Sequence, residues 1–502
     1  MGRKAAHKVS VACLSAFLIA GCSTTIKPID FDAASLDAHR TLMNDIQTNE
    51  PVLKPISLYE AMARALVYNL DEKIEQKDEE FRYRQHLVTR TGMWPSLLAT
   101  FGVNSRSNDS GSSSRSLETD RESLEPSTST ERTYYNADLT TSWNLLDFGV
   151  AYAETQQDLT EESIAVERRR KVVNRIIESV RTTYWRAVSA ERTYKKLLEL
   201  ESLAQRALYQ ATQLELTRKV PLLTTLEYQR ELLTVQTNVQ ELQRELILAK
   251  YQLATLINLS PKTRFTLEIP SRTDVVPVLP GSARQMVRYG LIYRPELREI
   301  FYQKEINQYK KDASFYESLP GLNFILGTNY NSNKYLANDQ WANLSANVSW
   351  NLVSLFRYPL QKDALEAESE VILARQQAMV MAIVTQIHVA RARFIRISQE
   401  LNTIRKNHDV QSRIVALTEA GYRTKQISQR QLVVEKMNEI LDEISYDSAY
   451  ADLQNAYASL YASMGLANLN ITISDDADIE ELTQKLKEHW TQRALVLPEL
   501  GV

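Results

Sequence analysis

The chain has 502 residues, with 59 Lys and Arg against 62 Asp and Glu, and a net charge of −3 does not imply a nucleic-acid partner. It holds 13 glycines, fewer than an enzyme with many βα loops would need, and no dinucleotide-binding, Walker A or nucleophile-elbow motif. His388 and His408 lie in helical stretches without metal-ligand spacing. We therefore expect no enzyme, no cofactor and no metal site.

The start of the chain has the pattern of a secretory signal. Arg3, Lys4 and Lys8 precede an apolar stretch over residues 9–20, shorter than the about 20 residues that a membrane-spanning helix needs. Ile-Ala-Gly-Cys at residues 19–22 resembles the lipobox of bacterial lipoproteins. We predict that the preceding residues are removed and that Cys22 becomes the lipidated first residue. An ordinary signal with a chance cysteine is the alternative.

Cysteine usage and hydropathy add further expectations. The other cysteine, Cys13, lies in the signal, so the mature chain can form no internal disulfide. Ser23 follows the lipidation site, where an aspartate would favour inner-membrane retention, so Ser23 favours the outer membrane. After the signal we find no stretch apolar enough for a transmembrane helix. A protein of the outer membrane would then cross it as a β-barrel.

The chain contains two copies of one pattern. Residues 57–62 match residues 282–287 at an offset of 225, and the Ser-Trp-Asn-Leu of residues 142–145 recurs at 349–352, at an offset of 207. The 18 residues lost between the offsets must lie in a length-tolerant loop. We divide the chain into a signal peptide (1–21), a lipidated leader (22–55), a first repeat (56–259), a linker (260–281), a second repeat (282–466) and a C-terminal tail (467–502).

Each copy begins with a helix followed by two strands. Alternating apolar and polar residues predict strands with one apolar and one polar face. The loop between the first two strands is dominated by Ser, Thr and charged residues, which predicts flexibility. In chain order the first copy has a helix at 58–92, strands at 97–103 and 135–143 and a loop at 104–132; the second has a helix at 283–318, strands at 322–328 and 344–350 and a loop at 331–340.

Very long helices follow the strands. Neither Gly nor Pro occurs in residues 150–220, 222–260, 360–420 or 422–464. At 1.5 Å per residue the first run alone could reach about 100 Å. Apolar residues then step by three and four, which is the heptad seam of a coiled coil; they are Leu232, Val235, Val239, Leu242, Leu246, Ala249, Leu253 and Leu256.

This layout resembles the TolC family of outer-membrane efflux and secretion channels over residues 56–466. The resemblance is carried by Leu-Tyr-Glu-Ala at residues 58–61, by the proline before each first strand, and by Trp-Asn-Leu-Leu-Asp-Phe-Gly at residues 143–149, where strand becomes helix in the family. The doubled order, with halves spaced by 207 residues, is more specific than any one motif.

The resemblance implies an α+β membrane protein that assembles as a homotrimer. Long antiparallel coiled-coil helices would form a periplasmic α-barrel, and four strands per chain would contribute to a 12-stranded transmembrane β-barrel. Four strands alone cannot close a membrane barrel, for which eight is the usual minimum. The implied function is the exit duct of a tripartite efflux pump or type I secretion system. Its partners would be a periplasmic adaptor (membrane fusion protein) and an inner-membrane pump or ABC transporter, while the cargo stays open.

The turns between the paired helices correspond to the periplasmic tip of the family, where the adaptor docks and the entrance closes. Aspartates line that entrance in well-known members, but residues 429–435 here read Gln-Arg-Gln-Leu-Val-Val-Glu, which puts a strongly cation-selective entrance in doubt. The basic tip residues are equally explained as solubilising charges. The docking candidates are Arg218, Lys219, Val220, Pro221, Arg423, Lys425 and Ile427, and the gate candidates are Glu227, Arg430, Gln431 and Glu435.

The strand-to-helix junctions differ between the copies. Asp-Phe-Gly, which ends at Gly149, follows the first strand pair, but the residues after Trp350 are Asn-Leu-Val-Ser-Leu-Phe. The second junction must therefore turn without a counterpart of this glycine. Trp143 and Trp350 are candidates for membrane-interface aromatics, and packing at the junction is the equal alternative.

Two other classes of protein compete with the channel. A periplasmic coiled-coil scaffold lipoprotein without a pore would explain the heptads and the lipid, but it leaves the paired alternating strands unexplained. An enzyme such as a cell-wall hydrolase would require a catalytic constellation that we do not find in the sequence.

Overall fold

The computed structural model describes residues 29–123, 125–217, 221–260, 263–271, 277–279, 281–466 and 478–493. The chain separates into two compact units, residues 1–53 and residues 54–502. In the first, helix α1 (Phe31–Thr48) is capped by the Asp30 carboxylate, which accepts from two backbone N–H groups. Cys22 and the predicted signal lie outside the described residues.

The second unit repeats one order of elements: two helices, two long strands, two very long helices. The first copy comprises α2 (Leu58–Tyr68), α3 (Leu70–Arg90), β1 (Ser96–Ser105), the short β2 (Gly111–Ser112) and β3 (Ser127–Thr128), β4 (Thr133–Asn144), α4 (Leu145–Thr217) and α5 (Leu222–Leu256). The second comprises α6 (Ala283–Tyr293), α7 (Pro295–Glu317), β5 (Gly321–Asn331), β6 (Gln340–Ser349), α8 (Ser354–Arg423) and α9 (Gln429–Ser463); α10 (Ile479–Arg493) follows.

The single helix predicted at the start of each copy is wrong, because both are broken at the same position. Asn69 has extended backbone angles, its side chain accepts from the Asp71 N–H at 2.9 Å, and its amide donates to the Leu256 carbonyl. The equivalent residue 225 positions later is Arg294, which precedes Pro295, and proline disfavours the helical conformation in the residue before it. An asparagine cap in the first copy and a proline in the second therefore break the helix at equivalent positions.

The four long strands form one antiparallel sheet in the order β1-β4-β5-β6. The two copies meet in its centre, where β4 pairs with β5 from Asn136↔Asn331 to Asn144↔Asn323. β1 and β6 are the edges, and each pairs with one strand among the described residues. The predicted strands are confirmed, except that the last ends at Ser349, before Trp350.

Part of the loop predicted to be flexible, residues 104–132, has defined pairing. Strands β2 and β3 form a small hairpin. Arg132 donates to both carboxylate oxygens of Asp109, at 2.7 and 2.6 Å. This bidentate bond lowers the pKa of Asp109, so the base of the loop is tied by an ion pair at neutral pH.

The long helices pair as coiled coils, α4 with α5 and α8 with α9. The predicted heptad seam on α5 is confirmed, because Leu232, Val235, Val239 and Leu253 are each 5% exposed or less. The side chain of Leu246 is not among those that the structure describes. α4 lies between the copies, because residues of α4, α5 and α9 share one core. That core includes Leu197, Leu200, Ala204, Ala207, Ala211, Val433, Met437 and Ile440.

Asparagine, not glycine, makes both strand-to-helix junctions. The Asn144 side chain accepts from the Leu146 N–H at 3.0 Å, and Asn351, 207 residues later, accepts from the Val353 N–H at 3.1 Å. Gly149 lies inside α4, where an added Cβ would meet the Tyr316 ring at 3.4 Å. The expectation that this glycine supplies the turn was therefore wrong, since it supplies close packing instead.

The C-terminal tail, expected to be merely polar, contains the amphipathic helix α10. Ile479, Leu482, Leu486 and Trp490 form its buried stripe, each 6% exposed or less, and the helix packs against α2. The Trp490 ring lies 4.4 Å from the guanidinium of Arg181 on α4. Helix α10 thus covers a buried cation.

By length and composition alone, one described helix could cross a membrane: α8 contains a sufficiently apolar 18-residue stretch, 22% of it buried. The expectation that no such stretch follows the signal was therefore wrong. Met381 and Val389, at 66% and 59% exposure, show how much apolar surface this helix leaves uncovered in the single chain.

Candidate functional site

The two faces of the four-stranded sheet differ in chemistry along their whole length. On one face, which we call the apolar face, the register aligns large apolar residues from all four strands. They include Leu97, Phe101 and Val103 of β1, Tyr135, Leu139 and Trp143 of β4, Phe324, Leu326 and Tyr330 of β5, and Leu344 and Val348 of β6. Most are exposed in the single chain.

The opposite, polar face carries mainly hydrogen-bonding groups, which are neutral except for Asp138. It holds all eight asparagines of the strands, although asparagine is depleted in ordinary strands. Two of them lie over glycines: a Cβ on Gly102 would come within 2.6 Å of Asn136, and one on Gly327 within 2.7 Å of Asn343. The polar face is therefore lined by amides, as a water-filled surface requires. The eight are Asn104, Asn136, Asn144, Asn323, Asn329, Asn331, Asn343 and Asn347.

The two candidate interface tryptophans lie at the helix end of the sheet. Trp143 is on the apolar face, 39% exposed, and its ring packs edge-on against Phe148 with centroids 6.0 Å apart. Trp350 is 48% exposed and its indole N–H donates to the Ser318 carbonyl at 3.0 Å. Both residues thus make junction contacts and also present exposed ring surface.

The turn between α8 and α9 is a compact structure that presents basic side chains. Lys425 adopts a left-handed conformation with φ 58°. Ile427 packs on Gly421, where an added Cβ would come within 2.6 Å of the isoleucine side chain. Ser428 caps α9 by accepting from the Gln431 N–H. Arg423 and Lys425 are exposed at this tip; of the first tip, Pro221 is exposed and Arg218, Lys219 and Val220 lie outside the described residues.

Arg430 joins the two copies near the tips. Its Nε donates to Glu231 of α5 at 2.8 Å, and its guanidinium lies 5.8 Å from the centre of the Tyr228 ring. Burial and the nearby Glu231 carboxylate raise the pKa of Tyr228. Glu227, another gate candidate, is exposed, and the acid that Arg430 contacts is Glu231, one helical turn further along.

The other gate candidates lie within one helical hairpin. Glu435 accepts from the Gln411 amide at 3.0 Å, which ties α9 to α8. A second link between these helices joins Lys436 to Glu419 at 2.7 Å. Gln431 is exposed and contributes its backbone N–H to the cap of α9. Of the four predicted gate residues, Arg430 therefore makes the link between copies.

Further from the tip, paired charges connect α4 with α9. Arg192 forms an ion pair with Asp447 and also donates to the Pro270 carbonyl at 2.7 Å. Lys196 binds Glu443 at 2.5 Å. Asp447 and Glu443 are buried, so these contacts fix the seam between the two copies.

The comparisons with known proteins show what this arrangement is similar to. The outer-membrane channel CmeC of Campylobacter jejuni aligns with a TM-score of 0.64 at 12% identity, over 86% of this chain and 89% of that chain. The channel CusC aligns with a TM-score of 0.63 at 16% identity, over 81% of this chain and 92% of that chain. The open state of the Neisseria gonorrhoeae channel MtrE aligns with a TM-score of 0.61 at 17% identity, over 82% of this chain and 89% of that chain. No protein-family model matches, and no curated protein sequence matches.

The chain has the TolC-family channel fold. The match extends over more than four fifths of the chain in each comparison. The expected fold class of long coiled-coil helices and four strands per chain is confirmed. Sequence identity is low throughout, so within the TolC-type fold the chemistry of individual positions has to be argued from this chain.

Three features were missed by reasoning from the sequence. Glu231 lies one helical turn beyond Glu227, the gate candidate predicted at the first tip. Helix α10 did have a signal, the apolar stripe that starts at Ile479 and ends at Trp490, inside a segment dismissed as polar. Asp138 lay within the predicted strand but drew no attention, because its neighbours across the sheet became known only with the register.

Proposed function

We propose that this protein is the exit duct of an export machine, passing solutes across the outer membrane. One observation carries the proposal: a sheet with one apolar and one amide-lined face runs directly into helices of 73 and 70 residues. An apolar outside suits lipid, and a polar inside suits a water-filled channel. The known channels CmeC, CusC and MtrE have the same fold.

Three copies would complete the barrel. The sheet leaves β1 and β6 as edges, and a membrane-spanning sheet must satisfy its backbone groups by closure. Pairing of β6 with β1 of the next copy gives twelve strands in a homotrimer. The apolar stretch of α8 would then pack against the neighbouring copy, which explains its exposure in the single chain.

The long helices would extend the duct into the periplasm. At 1.5 Å per residue α4 is about 110 Å long. Its tip would receive a periplasmic adaptor joined to an inner-membrane pump or ABC transporter. The docking surface proposed is the exposed turn with Arg423, Lys425 and Ile427, together with the first tip at residues 218–221. The chain itself performs no chemical step in this scheme.

The leader would add a lipid anchor. Removal of residues 1–21 would leave Cys22 to carry the acyl chains, followed by a leader to residue 55. Each buried CH₂ contributes about 0.8 kcal/mol to membrane binding. Trp143 and Trp350 would lie at the membrane interface, because their exposed rings occur at the helix end of the sheet.

Single-channel recording tests the proposal. The purified protein should run as a heat-resistant trimer and produce discrete conductance steps in planar lipid bilayers. A deletion of residues 96–144, which removes β1 to β4, is the matched control and should give no steps. A wild-type protein that is soluble after removal of its lipid, and that never conducts, would instead support the coiled-coil scaffold.

A further inference from the structure

The four strands of the sheet contain one charged residue, Asp138. It is the sixth of the twelve residues of β4, so it lies near the middle of the strand. The register places it on the polar face, between Thr100 of β1 and Asn329 of β5. An ionisable residue at membrane depth is costly, so its presence points to a role in the path of the solute.

Neighbouring amides hold the carboxylate in place. The Asn136 amide donates to Asp138 Oδ2 at 3.1 Å. The Asn329 side chain lies 3.0 Å from Asp138 Oδ1 and 3.2 Å from the indole nitrogen of Trp341. In one orientation of the Asn329 amide its nitrogen donates to Asp138 and its oxygen accepts from Trp341, whereas in the other its nitrogen donates to Asn343 Oδ1 at 2.6 Å. The carboxylate is thus bound by Asn136 at one oxygen, lies beside Asn329 at the other, and is half-buried rather than covered.

The same row across the sheet carries an unusual aromatic residue. The row runs Thr100, Asp138, Asn329, Trp341 through three register pairs. Most large aromatic residues of the strands lie on the apolar face, but Trp341 lies on the polar face and is 45% exposed. A carboxylate and an aromatic ring at one level both attract cations.

We propose that Asp138 is a specificity-determining residue, which makes the barrel favour cationic over anionic solutes. The inference rests on the proposed function, since three copies would set three carboxylates at one level of the duct. The remaining strand residues of the polar face are uncharged, so nothing else on the strands offsets this charge.

Reversal potentials measure this directly. The wild-type trimer in a planar bilayer under a KCl gradient should prefer K⁺ over Cl⁻. Asp138→Asn keeps the shape but removes an attraction for K⁺ and an equal repulsion of Cl⁻, so it should lower that preference by up to roughly fourfold for each carboxylate at about 10 Å in water, or roughly sixtyfold for three. Low salt is needed, because the Debye length is about 10 Å at 0.1 M. Ser345→Ala, a neutral change on the same face, is the control.

Two more variants separate charge from structure. Thr100→Asp added to Asp138→Asn returns a carboxylate to the same row and should restore the preference. Thr100→Lys in the wild-type chain places a cation directly opposite Asp138 and should weaken the preference. A conducting wild-type trimer whose reversal potential is unchanged in Asp138→Asn and Thr100→Lys overturns this inference alone. A wild-type protein that forms no conducting trimer overturns the proposed function, and the inference with it.

Discussion

Arg430 of α9 donates to Glu231 of α5 across the two copies of the chain, with 2.8 Å between Nε and Oε2. The two side chains are 46% and 34% exposed, so solvent screens the pair. An exposed pair contributes about 0.2–1 kcal/mol. Three such links in a trimer would hold a closed entrance and still let an adaptor open it.

Reversing the charge of Arg430 should loosen this entrance. Arg430→Glu places two carboxylates together, so conductance in planar bilayers should rise and cells should become more sensitive to large antibiotics such as vancomycin. For conductance the control is Arg423→Glu, which reverses a charge exposed at the same tip, while the carboxylate that Arg423 influences, Glu419, lies on its own helix. The exchange Arg430→Glu with Glu231→Arg should return conductance to the wild-type value. Unchanged conductance in an intact Arg430→Glu trimer would shift the gate to the buried Leu432 and Val433.

The link between α8 and α9 should resist mild acid. A hydrogen bond from Lys436 lowers the pKa of Glu419 below the ordinary 4.5. A carboxylate with a lowered folded pKa adds stability above its unfolded pKa and loses it as the pH falls through the folded value. Lys436→Gln should therefore lower the melting temperature at pH 7, and the difference from wild type should shrink below pH 4.5 and vanish once the pH has fallen below the lowered folded pKa. A difference that already vanishes at higher pH would show that Glu419 is not the responsible group.

Removing Trp490 should destabilise the chain. Burial lowers the pKa of Arg181 to about 10, so this arginine stays charged at neutral pH and relies on the Trp490 ring and the Gln454 carbonyl. Replacing a buried tryptophan by alanine costs about 3–5 kcal/mol. Trp490→Ala should thus lower the melting temperature clearly, Trp490→Phe less, and the exposed Lys487→Ala hardly at all. Equal melting curves for all three would show that α10 does not contribute to the stability of this unit.

The loop at residues 104–132 should lie outside the cell. Ser112 pairs with Ser127, so an epitope is better inserted after Glu118, in the exposed turn beyond that hairpin. Antibodies should label intact cells that carry this insertion. The same epitope appended after Val502 should label only permeabilised cells. The reverse pattern would place the loop in the periplasm.

Lipidation at Cys22 is the prediction that comes from the sequence alone. Mass spectrometry of the purified protein should find acyl chains on this residue, and Cys22→Ser should lose both the acyl mass and palmitate labelling. Conductance of the Cys22→Ser trimer should stay at the wild-type value, because a closed barrel would hold itself in the membrane without the lipid. A wild-type protein with an unmodified first residue would contradict the lipobox interpretation.

The sequence by itself determined the periodic features of this protein. Alternation, heptads and the repeat offsets are local or recurring patterns, so they predicted four strands, very long helices and the seam through Leu232 and Val239. Asn144 and Asn351 show the limit of local reasoning, since glycine was expected to make a turn that asparagine side chains cap.

The tertiary structure decided which distant residues meet. Arg430 and Glu231 are 199 positions apart, and no periodicity links them. Strand register likewise set Asp138 beside Asn329 and in one row with Trp341, although a slip of one residue would move every side chain to the other face. Trp490 was predicted to lie in a polar tail, and only packing against α2 and Arg181 made it part of a core. Contacts of this kind depend on how whole elements dock, which is why the sequence could not predict them.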